Sequence, residues 1–281
     1  MSLKILSPAK INLFLHITAK RPDGYHDLIT LMCCVGLFDT ITLTLGVPEI
    51  SVDCDHPQVP ADESNLACRA AHLFFSRLER DEGLKITINK QIPVAAGLGG
   101  GSSNAAAVLA ALNRYYGRPL SRNELMALGR SIGADVPFFI GRKPALATGI
   151  GDRLEFYDGL RPHKVLIVNP GFGVSTETVY KNFNLGLTKC KKKLNLFSFK
   201  NKDFDIARHL CNDLETVVED RYPEVIEAKE ALLKNGAAGG LMSGSGPTVF
   251  GLFSDSDRAW KAKEILSQND NWRLFLTDMI L

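Results

Sequence analysis

An α+β fold in two closely associated lobes is what the sequence predicts, and three observations predict it. Strand-like and helix-like segments interleave along the 281 residues, but not at the spacing of regular βαβ units, and no internal repeat is present. A glycine-rich loop at 93–104 separates an alternating strand-like run from an alanine-rich helix. A fresh apolar β segment, HKVLIVNPG at 163–171, opens a second half. The domain division is placed at 1–158 and 159–281.

Taken in order, strands are expected at 3–6 and 11–18, separated by Ser7-Pro8-Ala9-Lys10 and followed by the turn Arg21-Pro22-Asp23-Gly24. An apolar, β-branched run covers 28–45, and a Pro/Asp-rich link reaches about 62. Leu66, Ala70, Leu73 and Phe74 share one face of a helix over 66–80, with Asn65 as its N-cap. LKITIN at 84–89 alternates as a strand does. After the glycine loop, a helix spans 101–115. The next is announced by the capping-box spacing Ser121…Glu124 and stopped by Gly133, and Pro137 suits the start of a short one. The second half carries helices at 203–217, 223–235 and 257–267, the strand-and-turn run GGLMSGSGPTVFGLF, and a last strand at 272–277.

Composition excludes whole classes of function. With 33 Lys and Arg against 31 Asp and Glu, the net charge of +2 lacks the basic excess of a nucleic-acid binder. The lysine cluster Lys189, Lys191, Lys192 and Lys193 reads as a solvated face. Hydrophobic residues at 45% and charged residues at 23% are the mixture of an ordinary globular protein. The six cysteines lack CxxC spacing, and Cys33-Cys34 reads as core packing on a strand, so a reducing, cytoplasmic setting is expected, with bridges among the six left open in principle. There is no HExxH array, no signal-cleavage pattern and no apolar run of about 18 residues, so no membrane span is expected. The oligomeric state stays open between a monomer and a weak homodimer.

The strongest local signal is Pro93-Val94-Ala95-Ala96-Gly97-Leu98-Gly99-Gly100-Gly101-Ser102-Ser103-Asn104. Closely spaced glycines let several backbone N–H groups approach one anion, and the following helix adds its unpaired N–H groups and positive dipole end. The Ser102 and Ser103 hydroxyls add further polar contacts for a phosphate oxygen or a metal. A linker or a tight cap is the alternative use. No GxxxxGK[ST] is present, and a dinucleotide fingerprint fails because position 102 is serine and Tyr116-Gly117-Arg118 occupy the place of the ribose-binding acid. Asp135 has two readings, a cap for the helix at Pro137 or a catalytic carboxylate. Lys10 either snorkels to solvent or serves a site, and Asp23-Gly24-Tyr25-His26 is compatible with a plain exposed turn.

PAKINL at 8–13, the 93–104 loop and GLMSGSGP at 240–247 resemble, in order, the three motifs of the GHMP small-molecule kinases. That resemblance implies an N-terminal domain folded like part of ribosomal protein S5, a C-terminal α/β domain, and ATP-dependent phosphorylation of an alcohol. PAKINLFLHITAKRPDGYHDL at 8–28, GLGGGSSNAAAVLAALN at 97–113 and GADVPFF at 133–139 are similar to the branch whose acceptor is a small, cytidine diphosphate-linked molecule. By that resemblance Lys10 and Asp135 form the catalytic pair, and the 93–103 loop, with Gly99–Ser103 at its centre, cradles the ATP phosphates. Mg²⁺ then bridges phosphate oxygens without an all-protein cage. Asn12 fixes the substrate near Lys10, Tyr25 and His26 serve the cytosine ring, and Thr176 and Tyr180 belong to the opposite wall. Asn65 approaches the nucleotide, and the Gly/Ser turn near 239–246 closes over the phosphate side. The sequence departs from the family's richest loop at Ala95-Ala96, where glycine is frequent.

Overall fold

The fold is seen in a computed structural model, which describes residues 1–187 and 205–281. The Lys189–Lys193 cluster and the start of the helix expected at 203–217 lie outside the described residues. The chain groups into two compact units. The first holds 1–9, 37–94 and 99–142, and the second holds 10–36, 95–98 and 143–281. Two long strands, β1 (Ser2–Lys20) and β2 (His26–Val47), contribute residues to both units.

In the first unit β3 (Ile50–Cys54) runs parallel to β4 (Gly83–Asn89), and β4 pairs antiparallel with β2 from Thr40↔Asn89 to Leu45↔Leu84. Alternation dictates the buried face: Leu84, Ile86 and Ile88 point inward and Lys85 outward. Four helices accompany this sheet: α1 (Leu66–Arg77), α2 (Gly100–Tyr115), α3 (Arg122–Ile132) and α4 (Val136–Gly141). In α2 the run Ala105-Ala106-Ala107 is wholly buried, and such small side chains let the neighbouring helices approach closely. The expected caps are present. Asn65 accepts the Ala67 N–H at 2.9 Å, and Ser121 and Glu124 close a reciprocal capping box.

The second unit is built on an antiparallel sheet in the order β11-β7-β10-β9, made of β7 (Lys164–Asn169), β9 (Gly239–Met242), β10 (Val249–Phe253) and β11 (Arg273–Ile280). Val165 to Val168 are fully buried, which explains why this strand reads as an unbroken apolar run. The first half of β2 pairs with β11 at Val35↔Met279 and with β5 (Ala145–Thr148), itself paired to β6 (Arg153–Phe156). The two-residue strand β8 (Cys211–Asn212) lies parallel to β1 at Phe14↔Cys211. The helices are α5 (Thr176–Asn182), α6 (Glu215–Glu219), α7 (Pro223–Lys234) and α8 (Ser256–Leu266).

Several expectations change. Strand β1 passes through Ser7–Lys10 without a break, because proline's fixed φ suits extended backbone and residues 7–15 are all buried. Strands β3, β5 and β6 are short, and the sequence reading passed over them. The helix expected to run to 217 is not continuous: a 3₁₀ turn at Ile206–Arg208 and β8 precede α6. Asn212 and Asp213 are responsible, since the Asn212 side chain accepts the Leu214 N–H and that of Asp213 accepts the Ile17 N–H. Cys33, Cys34, Cys54 and Cys68 are free, and burial pushes the Cys33 thiol strongly upward, as core packing requires. Cys211 is disulfide-bonded, which the cysteine spacing did not signal.

Candidate active site

The two ends of the glycine loop, both in the first unit, are anchored to one carboxylate. Asp39 on β2 is fully buried and accepts the N–H groups of Gln91 and Ile92, each at 2.9 Å, while pairing with the Lys90 ammonium. With its amide nitrogen turned toward Asp39, Asn104 donates to the Asp39 Oδ2 (3.0 Å), the Gly100 carbonyl (2.9 Å) and the Ser7 hydroxyl (2.9 Å). Charge pairing and multiple hydrogen bonds make a buried carboxylate tolerable here. The loop's departure from strand β4 and its return into α2 are thereby held together.

Gly99 caps α2 in the left-handed conformation at φ +69°, and no side chain occupies the cap. The first-turn N–H groups of a 16-residue helix therefore have no side-chain cap, and the positive end of its dipole lies with them, an arrangement that can take an anion. Gly100 is needed for space as well, since a Cβ there would lie 2.9 Å from the Lys90 Nζ. Ala95 and Gly101 are exposed and Gly97, Gly99 and Ser102 half-buried. Ser103 is only 1% exposed, and its hydroxyl accepts from Ser7 at 2.7 Å. The hydroxyl available to a ligand is thus that of Ser102, and Ser103 serves the network beneath.

Asp135 stands at the N-cap of α4 and is half-buried, but its carboxylate makes no capping hydrogen bond. Of its two readings, the capping bond is absent. Two residues before Asp135, a Cβ on Gly133 would lie 3.8 Å from the Ser102 hydroxyl oxygen, and α4 packs on α2. Asn65 spends both ends of its amide locally, on the Ala67 N–H and, at 2.8 Å, on the Pro60 carbonyl. The adjacent Leu66 nevertheless reaches the loop, with its Cδ1 3.6 Å from a Cβ built on Gly101.

In the second unit Lys10 is 5% exposed and does not snorkel; its ammonium donates to the Asn12 Oδ1. Asn12 is fixed in turn. Its Nδ2 donates to the Thr30 hydroxyl at 2.8 Å, which donates to the Phe14 carbonyl at 2.6 Å, and its backbone N–H donates to the Ser243 Oγ at 3.2 Å. Ser243 donates to the Gly97 carbonyl at 3.0 Å, and Thr176 and Ser245 share a hydrogen bond of 2.8 Å. The structure thus brings Lys10, Asn12, Gly97, Thr176 and the 243–246 turn into one polar assembly.

The His26 ring lies 5.5 Å from that of Tyr180 and meets Phe183 edge-on at 6.1 Å. Tyr25 is 61% exposed on a turn closed by the Arg21 N–H to its carbonyl and by its own N–H to Asp23. The His26 Nδ1 is buried without a hydrogen-bond partner, and burial, with the positive charge of Lys20, lowers the imidazole pKa. An aromatic wall with an open nitrogen suits a flat ring that carries its own polar edge. Sequence reasoning passed over Asp39, Thr30, Phe183 and Asn212 and gave Asn104 of the loop motif no role of its own, since each acts through partners far away in the chain. Among the described residues, no group of three or more His, Cys, Asp or Glu is placed to hold a metal, and no helix is long and apolar enough to cross a membrane.

Models of the GHMP kinases N terminal domain and the GHMP kinases C terminal domain match residues 65–142 and 197–271. The chain belongs to the GHMP kinase family. The first match contains the glycine loop and Asp135, and the second contains the 243–246 turn. This kinase is 49% identical over 276 residues to a Syntrophotalea carbinolica protein named 4-diphosphocytidyl-2-C-methyl-D-erythritol kinase, with 98% of each chain covered. A Syntrophus aciditrophicus protein of the same name is 46% identical, over 97% of this chain and 98% of its own. A solved 4-(cytidine 5'-diphospho)-2C-methyl-D-erythritol kinase superposes with a TM-score of 0.81 at 34% identity, covering 99% of the kinase and 100% of that chain. The Methanococcus jannaschii mevalonate kinase shares the fold, with a TM-score of 0.73 at 16% identity over 100% and 99% of the two chains.

Proposed function

We propose that this kinase transfers the γ-phosphate of ATP to the C2 hydroxyl of 4-diphosphocytidyl-2-C-methyl-D-erythritol, giving ADP and the 2-phosphate in the non-mevalonate route to isoprenoid precursors. Near-full-length relatives of that name support the reading. The observation that carries it is the aromatic wall: His26, with Tyr180 and Phe183 against its ring, belongs to the same unit as the Lys10–Asn12 pair. A cytosine ring on that wall and an acceptor hydroxyl at Lys10 are ends of one substrate.

The uncapped first turn of α2 and the Gly99–Ser103 backbone receive the β- and γ-phosphates, and the Ser102 hydroxyl adds a side-chain contact. The Ser102 hydroxyl and the Asp135 carboxylate would be the side-chain oxygens to hold Mg²⁺, which when bound would supply charge neutralisation for the phosphates. The acceptor oxygen forms a bond to the γ-phosphorus as the bridge to ADP breaks. Its proton passes late to the carboxylate of Asp135, which no capping bond occupies. Lys10, oriented by Asn12, steadies the hydroxyl and offsets charge developing in transfer. The domain boundary at 158/159 fits this reading, with one family-model match on each side. The reading sets the enzyme in the cytoplasm, working as a monomer or weak homodimer.

The direct test follows ADP release and the phosphorylated product by mass spectrometry, with Asp135→Asn and Lys10→Ala as controls. Folded protein that makes no product from Mg²⁺-ATP and this acceptor would overturn the proposal. So would protection from heat by a non-cytidine acceptor alone.

A further inference from the structure

The 243–246 turn borders Lys10 closely: a Cβ on Gly244 would fall 3.1 Å from the Lys10 Nζ and 3.2 Å from the Asn12 Oδ1. Its own backbone bonds are few, from the Ser243 N–H to the Thr248 carbonyl and from the Gly246 N–H to the Ser243 carbonyl. The carbonyls of Met242 and Gly244 are paired instead by one side chain. Asn212, 3% exposed, donates from its Nδ2 to the Met242 carbonyl at 2.9 Å and to the Gly244 carbonyl at 2.7 Å. Its Oδ1 accepts the Leu214 N–H at 3.0 Å, so both ends of the amide are engaged. From the other direction Glu215 accepts the Met242 N–H at 3.0 Å, with Lys229 2.9 Å from its second oxygen.

We propose that Asn212 is a positioning residue for Lys10, its amide fixing the carbonyl edge of the turn against which the Lys10–Asn12 pair is set. This rests on the reading that Lys10 serves the transfer. A glycine-rich turn has wide conformational freedom, and Gly244 is already at φ +57°. An amide that clamps two carbonyls two residues apart removes that freedom where it would displace a reacting group. Removing the clamp leaves two buried acceptors unpaired, and the turn must rotate toward water or another donor to recover them. Glycine repeats account for the shape the turn can take, and Asn212 accounts for the one it keeps.

The experiment uses the full chain with Asn212→Ala and Asn212→Ser, alone and in the Lys10→Ala background. Residual turnover is followed with labelled ATP, and folding is checked by circular dichroism. Alone, Asn212→Ala is expected to lower kcat on the order of tenfold, with both KM values within about threefold. Asn212→Ser, which keeps one donor, should fall between it and the wild type. In the Lys10→Ala background the further loss should be under about twofold, because the group being positioned is already gone. An equal loss in both backgrounds marks a merely structural residue and overturns the proposal, as does an unchanged kcat. A second arm needs no turnover: crystal structures of the two variants should show the turn and the Lys10 Nζ displaced together, and both unmoved would overturn it. Should the wild type fail on the cytidine acceptor while these displacements appear, it is the functional reading that falls and not the role of Asn212.

Discussion

Gly97→Ala removes conformational freedom and space at one position, and the two costs can be separated. Gly97 sits at φ +76°, and a Cβ there would lie 1.9 Å from the Ser243 carbonyl oxygen. Left-handed backbone costs alanine about 1–2 kcal/mol. The steric part is larger. Backbone faces backbone, so the loop and the turn must part by roughly 1 Å before the contact is tolerable. That opening breaks the Ser243 Oγ bond to the Gly97 carbonyl and disturbs the Asn12 N–H bond to Ser243, at about 0.5–1.5 kcal/mol each. The sum is about 2–5 kcal/mol, or a Tm lower by roughly 5–15 °C. Gly117→Ala is the matched control: φ is +78°, with nothing within 4 Å of its Cβ, so only the conformational cost remains. The assay pairs differential scanning fluorimetry with kinase kinetics. Gly97→Ala should fall well below Gly117→Ala in Tm and lose kcat/KM for ATP. Equal Tm values for the two variants, with wild-type kinetics for Gly97→Ala, would refute the packing argument.

Three further outcomes follow from the same contacts. Asp135→Asn should lower kcat by about 10²–10⁴ while leaving Tm within about 2 °C of wild type, because its carboxylate forms no capping bond; a large Tm loss on a thermal ramp would contradict this. Asn65→Ala should destabilise by about 0.5–2 kcal/mol in urea titration, through the lost Ala67 cap and the unpaired Pro60 carbonyl, and an unchanged midpoint would contradict the cap. The buried His26 has its pKa lowered below the unfolded value of 6.5, so the unfolded chain binds the proton first as pH falls. Stability from this group is complete above 6.5 and declines below it. Urea titrations from pH 8 to 5 should therefore show wild type losing stability relative to His26→Gln on the acid side, and an opposite slope would sink the assignment.

Legibility in the sequence depended on how local the cause was. The cap at Asn65, the Ser121–Glu124 box, the alternation of Leu84, Ile86 and Ile88, and the glycine loop each arise from residues within a few positions, and the structure shows all of them. The helix expected at 203–217 was misread because Asn212 and Asp213 send their side chains to partners that only the folded chain supplies. Strand β1 was cut at Pro8 for a like reason, since a local breaker rule carries no information about burial on both faces. The fate of Lys10 turned on the same point. A lone lysine in an apolar strand ordinarily reaches solvent, and here Asn12 meets it instead.

What the sequence by itself determined is the reaction class and the parts that act through their own backbone. The glycine spacing and the helix after it offer backbone N–H donors wherever the chain places them, and the proposed phosphate site draws on those donors. The order of the three motifs marks the kinase family without any tertiary contact. Only the tertiary structure decided which polar side chains hold those parts still. Asp39 ties Gln91 and Ile92 to Asn104, and Asn212 clamps Met242 and Gly244, across separations no local pattern encodes, while burial of the strand turns Lys10 to its near neighbour Asn12. The physical reason is that a buried polar group must find partners, and which partners are within reach is settled when the core closes.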